Sequence, residues 1–302
     1  MRVIKGMDAL GYDPNASVEN LGSQKSITIG VIVPDIDINV FTFTDFIKGV
    51  ERASQMYNFN ILICAASNNI DKEMKYLELL RTHTVDAMIL LHPTIKNDKI
   101  IQLNDEGYHV VVVGSVIEHA CIPCCITNNL EFSQRVVTHF AEQGHREIAF
   151  INGSLSTSES MDRLEGYIQG LKVNRLPFYP ELIEHGDYNE EKGYQAFIRL
   201  INKTPRPTAI YTANDEMALG VYKACKELGL RIPEDISVMG VDDNRIGRYI
   251  EPPLSSVKPP NTELGYLAAE MIMCLVNKKD INNRIVTIES TMLFRKSSMK
   301  FV

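Results

Sequence analysis

At 302 residues the chain exceeds the length that one hydrophobic core usually supports, so two lobes are expected. A hydrophobic share of 45% with 23% charged residues excludes a disordered or fibrous protein and allows a large core. The formal charge of −7 excludes a broad surface that grips phosphates, and no apolar run approaches the roughly 18 residues of a membrane span.

Met1 is followed by Arg2 and Lys5 on an amphipathic segment, not by an apolar export core, so a cytoplasmic protein with no membrane partner is expected. From Ile27 onward short apolar runs alternate with amphipathic stretches of helical length, the signature of βαβ units and a parallel sheet. The first lobe reads as strand 27–33 stopped by Pro34, helix 44–57, strand 59–65, helix 72–81, strand 85–91, helix 96–106 and strand 109–113. The rhythm restarts with helix 130–143, strand 147–152, helix 160–174, strand 182–185, helix 190–202 and strand 209–212. A helix at 216–228, which Asp215 can cap, and a strand at 237–241 complete a second lobe. After two proline pairs, Leu264, Leu267, Ala268, Met271, Ile272 and Leu275 form an apolar stripe over 262–276 that must pack on a sheet. Segments 285–288 and 292–295 read as closing strands.

Catalytic machinery is not legible. The chain has no GxGxxG, P-loop or HExxH, and none of its seven histidines pairs with a nucleophile at a recognised spacing. His145 reads as a structural residue at a helix-to-strand turn. Cys121, Cys124 and Cys125 form the one cluster that looks like a ligand set, but it lacks a second Cys/His pair at zinc spacing and suits ordinary strand packing. No enzyme activity, cofactor or metal is expected.

Several strings occur in a telling order: Leu10-Gly11-Tyr12-Asp13-Pro14-Asn15, Gly144-His145-Arg146, Arg163-Leu164-Glu165-Gly166-Tyr167, Asn214-Asp215-Glu216-Met217, Ile232-Pro233-Glu234-Asp235 and Gly240-Val241-Asp242-Asp243. Together they resemble the lactose-repressor (LacI/GalR) family of transcriptional regulators over nearly the whole chain. The resemblance implies an α/β fold of the type I periplasmic-binding-protein kind: two doubly wound parallel-sheet lobes joined by several crossovers, with a small-molecule effector between them. The expected division is 27–128 plus about 258–280 for one lobe and 129–257 plus about 281–302 for the other. It further implies a homodimer, with helix 44–57 and the matching surface of the second lobe in contact, and a repressor that binds operator DNA.

Residues 1–26 look like the last helix of a DNA-reading headpiece and a hinge, without the recognition helix, and are expected to fray. Leu21 matches the leucine that family members wedge into the minor groove. Val18-Glu19-Asn20 stands where the family has Ala-Arg, so Glu19 faces phosphates with the wrong charge and DNA contact by this chain is expected to be weak or absent. An ordinary linker with an incidental leucine is the alternative. A headpiece-less co-regulator acting through protein contacts, and a solute-binding protein, remain open as other readings of the same core.

Arg163 matches the family's ligand-contacting arginine, although a surface ion pair with Asp162 or Glu165 would also account for it. Asp242, just past a strand end, matches the aspartate that accepts from sugar hydroxyls; a turn aspartate is the plain alternative. Asn214 can donate and accept, as a polyol requires. Tyr188 aligns with a stacking aromatic, and Phe41 and Phe43 offer further aromatic faces or core packing in a loop that departs from the family's pattern. Thr157 stands where purine-binding members carry a second arginine, and Pro259 where some sugar-binding members carry glutamine. A sugar or sugar phosphate is therefore expected over a purine.

Overall fold

The computed structural model describes residues 26–34, 40–119, 121–155 and 157–298, with side chains described from Phe43 in the second stretch. The expected headpiece helix and hinge, Leu21 included, and the side chain of Phe41 lie outside the described residues. Runs such as Val110-Val111-Val112-Val113 are apolar on both faces, as strands covered by helices on either side require. They build a first sheet from β1 (Thr28–Val33), β2 (Asn60–Ala65), β3 (Ala87–Leu91), β4 (His109–Val113), β5 (Cys124–Thr127) and β11 (Ile285–Ile288). Its order is β11-β5-β4-β3-β1-β2 and every pairing is parallel.

Alternate residues of each strand serve opposite cores. Val31 and Val33 point into a layer formed by α1 (Val40–Tyr57) and α8 (Asn261–Val276), whereas Ile32 points toward α2 (Ile70–Arg81) and α3 (Asn97–Asp105). Each such fully buried aliphatic side chain contributes about 1.5–3 kcal/mol. α1 and α8 touch backbone to backbone: a Cβ on Gly49 would lie 1.9 Å from the Thr262 carbonyl oxygen, and one on Gly265 2.1 Å from that of Phe46.

The second sheet contains β6 (Ile148–Asn152), β7 (Ile183–His185), β8 (Ala209–Thr212), β9 (Ser237–Val241), β10 (Ser255–Lys258) and β12 (Thr291–Leu293), in the order β12-β10-β9-β8-β6-β7. Only the edge pair β10–β12 is antiparallel. Around one core cluster pack α4 (Asn129–Glu142), α5 (Ser158–Val173), α6 (Glu190–Leu200) and α7 (Asp215–Leu228). The chain passes between lobes after β5, after β10 and between β11 and β12. Asn128 Oδ1 accepts from Ser290 N at 2.8 Å and so ties the first and last of these crossings together.

Three expectations need correction. β11 belongs to the first sheet, although the segment from about 281 to 302 is expected in the second lobe: Ile285–Ile288 extends the parallel ladder beside Cys124–Thr127, and the chain crosses at Glu289 and Ser290. The cap of α7 is Asn214, whose Oδ1 accepts from Met217 N at 3.0 Å, not Asp215. α1 begins at Val40, four residues before the apolar periodicity becomes readable.

Candidate functional site

Open α/β sheets bind ligands past the carboxyl ends of their strands, because helix N-termini and loops converge there. At that edge of the second sheet α5 starts with Thr157 as its cap, whose side chain accepts from Ser160 N. One turn on, Arg163 is 5% exposed. Its Nε donates to Asn129 Oδ1 at 2.8 Å and its Nη1 to the Ala213 carbonyl at 2.7 Å, rather than to Asp162 or Glu165. The guanidinium carbon lies 5.6 Å from the Phe132 ring centre and 6.0 Å from that of Tyr188. Burial disfavours its charge, but the fields of Tyr188, Glu159, Tyr211 and Asp242 more than offset this and hold the proton above the ordinary range.

Tyr188 is placed by a left-handed backbone, φ 60°, and its ring lies where a Cβ on Gly153 would intrude to 2.1 Å. Its hydroxyl pairs with Ser160 Oγ, and Thr157 Oγ1 is 3.5 Å away. Asn214 is 1% exposed and holds the site together from within: besides capping α7, its Nδ2 donates to the Tyr188 carbonyl at 3.2 Å. Asp242 follows β9 at φ 108°, with its own N–H donating to the Val257 carbonyl. It is half-buried and acts electrostatically on Arg163, Tyr211 and Asp215.

The next residue takes a different part. Asp243 turns inward, 7% exposed, and forms ion pairs with Arg248 and Arg295. Beneath it Asp215 accepts from Asn244 N at 2.7 Å and from Ser256 Oγ at 2.8 Å. Burial, then the charges of Asp242 and Asp243, push its carboxyl well above the usual range.

Arg163, Tyr188, Asn214 and Asp242 thus come together on the second lobe. Phe43 does not join them; it is half-buried and packs against the core of the first lobe. His145, 1% exposed, bonds Thr208 and Ser237 through its two ring nitrogens. Cys124 and Cys125 are buried strand residues, and among the described residues no three His, Cys, Asp or Glu side chains are placed to hold a metal ion.

Four residues that sequence reasoning passed over, Ser158, Glu159, His92 and Asn129, join the lobes or brace the site. Ser158 Oγ donates to the Gly114 carbonyl at 3.2 Å, and Glu159 Oε2 lies 3.2 Å from His92 Nδ1, so the start of α5 meets the ends of β3 and β4. Asn129, at the start of α4, holds Arg163. The position of His92 immediately after a strand was a usable signal; the partner of Asn129 was not.

The periplasmic binding protein-like domain family matches residues 137–298. The probable HTH-type transcriptional repressor ExuR of Bacillus subtilis is 32% identical over 300 residues, covering 98% of this chain and 88% of that protein. Catabolite control protein A of Priestia megaterium is 30% identical over 298 residues, 98% of this chain and 89% of that protein. A LacI family regulator from Enterococcus faecium, solved with bound ribose, superposes with a TM-score of 0.80 at 25% identity, over 91% of this chain and all of that one. Two wound sheets and similarity to a repressor over 98% of the chain agree: the chain belongs to the LacI family of transcriptional regulators and carries its periplasmic-binding-protein-like effector core.

Proposed function

We propose that this chain senses a small polyhydroxylated molecule, a sugar or sugar phosphate, between its lobes, and that occupancy is passed to operator DNA as a change in lobe orientation. The observation that carries this reading is the grouping of a buried guanidinium, an aromatic face and a carboxylate at one sheet edge: Arg163, Tyr188 and Asp242. A hydroxyl can donate to Asp242 and accept from Arg163, while Tyr188 offers a ring face. The bound ribose of the Enterococcus faecium regulator supports a sugar as the class. The chain acts as a cytoplasmic regulator, not a catalyst.

Lobe closure is the coupling step, since Ser158–Gly114 and His92–Glu159 already join the lobes at the cleft. A ligand contacting both sides adds to that set and shifts the balance of orientations by its difference in affinity, commonly about 1–3 kcal/mol. The working unit is a homodimer. Edge strand β2 leaves Leu62 37% and Ile63 44% exposed, and the second lobe exposes Tyr249 at 81%. An exposed strand edge that carries apolar side chains offers a contact between chains.

Thermal melting against neutral sugars, sugar phosphates and purines tests the effector. A ligand present at about 100 times its Kd adds about 2.7 kcal/mol of stability. The response should vanish in Asp242→Asn and Arg163→Met. A purine as the sole hit, or a sugar response that survives both substitutions, refutes the assignment.

A further inference from the structure

Glu159 carries a charge that the polyol reading does not need. It sits in the first turn of α5 with its side chain 16% exposed, and its Oε2 lies 3.2 Å from His92 Nδ1 on the other lobe. Burial, then the charges of Glu159 and Glu131, raise the neighbouring Asp162 carboxyl, and Glu159 also acts on Arg163 together with Asp242. The Glu159 carboxylate itself sits against His92, while the charges of both carboxylates are felt at the buried guanidinium of Arg163. That cation has already given its Nε to Asn129 and an Nη1 bond to Ala213.

A helix N-terminus ordinarily attracts anions, through its unpaired N–H groups and its dipole. At α5 both attractions are answered from within the chain: the Thr157 side chain takes the Ser160 N–H, and the Glu159 carboxylate faces the dipole. A phosphate monoester brings a charge of about −1.5 to −2 and oxygens that mainly accept. Opposite Glu159 and Asp242 it meets like charge, where a hydroxyl finds acceptors.

We propose that Glu159 is a specificity-determining residue that closes the cleft to anionic ligands, so that the effector is a neutral polyhydroxy compound, an unphosphorylated sugar. This rests on the cleft being the effector site. It narrows the class to one of the two just named, and Glu159 does it by repulsion rather than by added contact.

The test is melting of the full chain, wild type, Glu159→Gln and Glu159→Asp, in inorganic phosphate against chloride of equal ionic strength, with neutral monosaccharides in parallel. Comparing variants removes the general salting effect of phosphate. Expected is no specific phosphate response in wild type or in Glu159→Asp, which keeps the charge, and a response in Glu159→Gln that reflects an affinity gain of about tenfold. Phosphate stabilisation of the wild type equal to that of Glu159→Gln overturns the proposal, as does a Glu159→Gln chain that ignores phosphate. Silence from every neutral sugar, with the phosphate pattern as expected, would sink the sugar reading while leaving anion exclusion by Glu159 in place.

Discussion

Consecutive aspartates after β9 do opposite work, and the backbone decides which. Both residues have positive φ, 108° at Asp242 and 53° at Asp243, so the chain turns sharply; the charge of the first acts on Arg163 and Asp215, and the side chain of the second enters a cage of Arg248 and Arg295. The Asp243 pairs leave Asp215 below it as a buried carboxyl with hydrogen bonds but, among the described residues, no ion-pair partner. Because its folded-state pKa is raised well above the ordinary carboxylate value of 3.8, the folded chain keeps a proton over a range in which the unfolded chain has lost it. The folded state then binds more protons, so stability falls as pH rises from about 4 through that range, by at most about 1.4 kcal/mol per pH unit. Asp215→Asn should flatten this part of the profile. Urea unfolding at a series of pH values from 4 to 8 reads the difference, and parallel profiles for the two chains would refute it.

Element by element, the lobes depend on close contacts that admit no side chain. At the α1–α8 contact Gly265 abuts the Phe46 carbonyl, and because the obstacle is backbone the neighbour cannot rotate away. Gly265→Ala should therefore destabilise the first lobe by about 1–3 kcal/mol, seen as a lower urea midpoint, whatever alanine adds in helix propensity. A midpoint equal to or above wild type would mean that the helices part freely. The strong apolar stripes made α7 and α8 readable, and the all-valine run made β4 readable. β5 and β10 stayed hidden because four-residue strands rich in Cys or Ser, Cys124–Thr127 and Ser255–Lys258, carry no periodicity. Asp215 was expected as a cap because it precedes the helix pattern; Asn214 takes that role one residue earlier, which frees Asp215 for the buried network.

For the molecule as a whole, the proposed homodimer pairs the exposed edge of β2 with the identical edge of a second copy by twofold symmetry. Leu62→Lys puts a charge into that contact without touching a core residue, since Leu62 is 37% exposed. Sedimentation should show a dimer for the wild type and a shift toward monomer, by about tenfold or more in Kd, for the variant. A wild-type monomer, or a variant that dimerises as tightly, would rule this surface out. The alternation of strands and helices, the two-lobe count and the strings around Arg163 and Asp242 were determined by sequence alone, because each is a local pattern of period, turn chemistry or residue type. What only the tertiary structure decided is which segments meet: that β11 joins the first sheet, that Asn129 and Ala213 hold Arg163, and that Glu159 reaches His92 across the gap. Those are contacts between residues 34 to 161 positions apart, set by how three crossings fold one lobe against the other, and no local pattern encodes them.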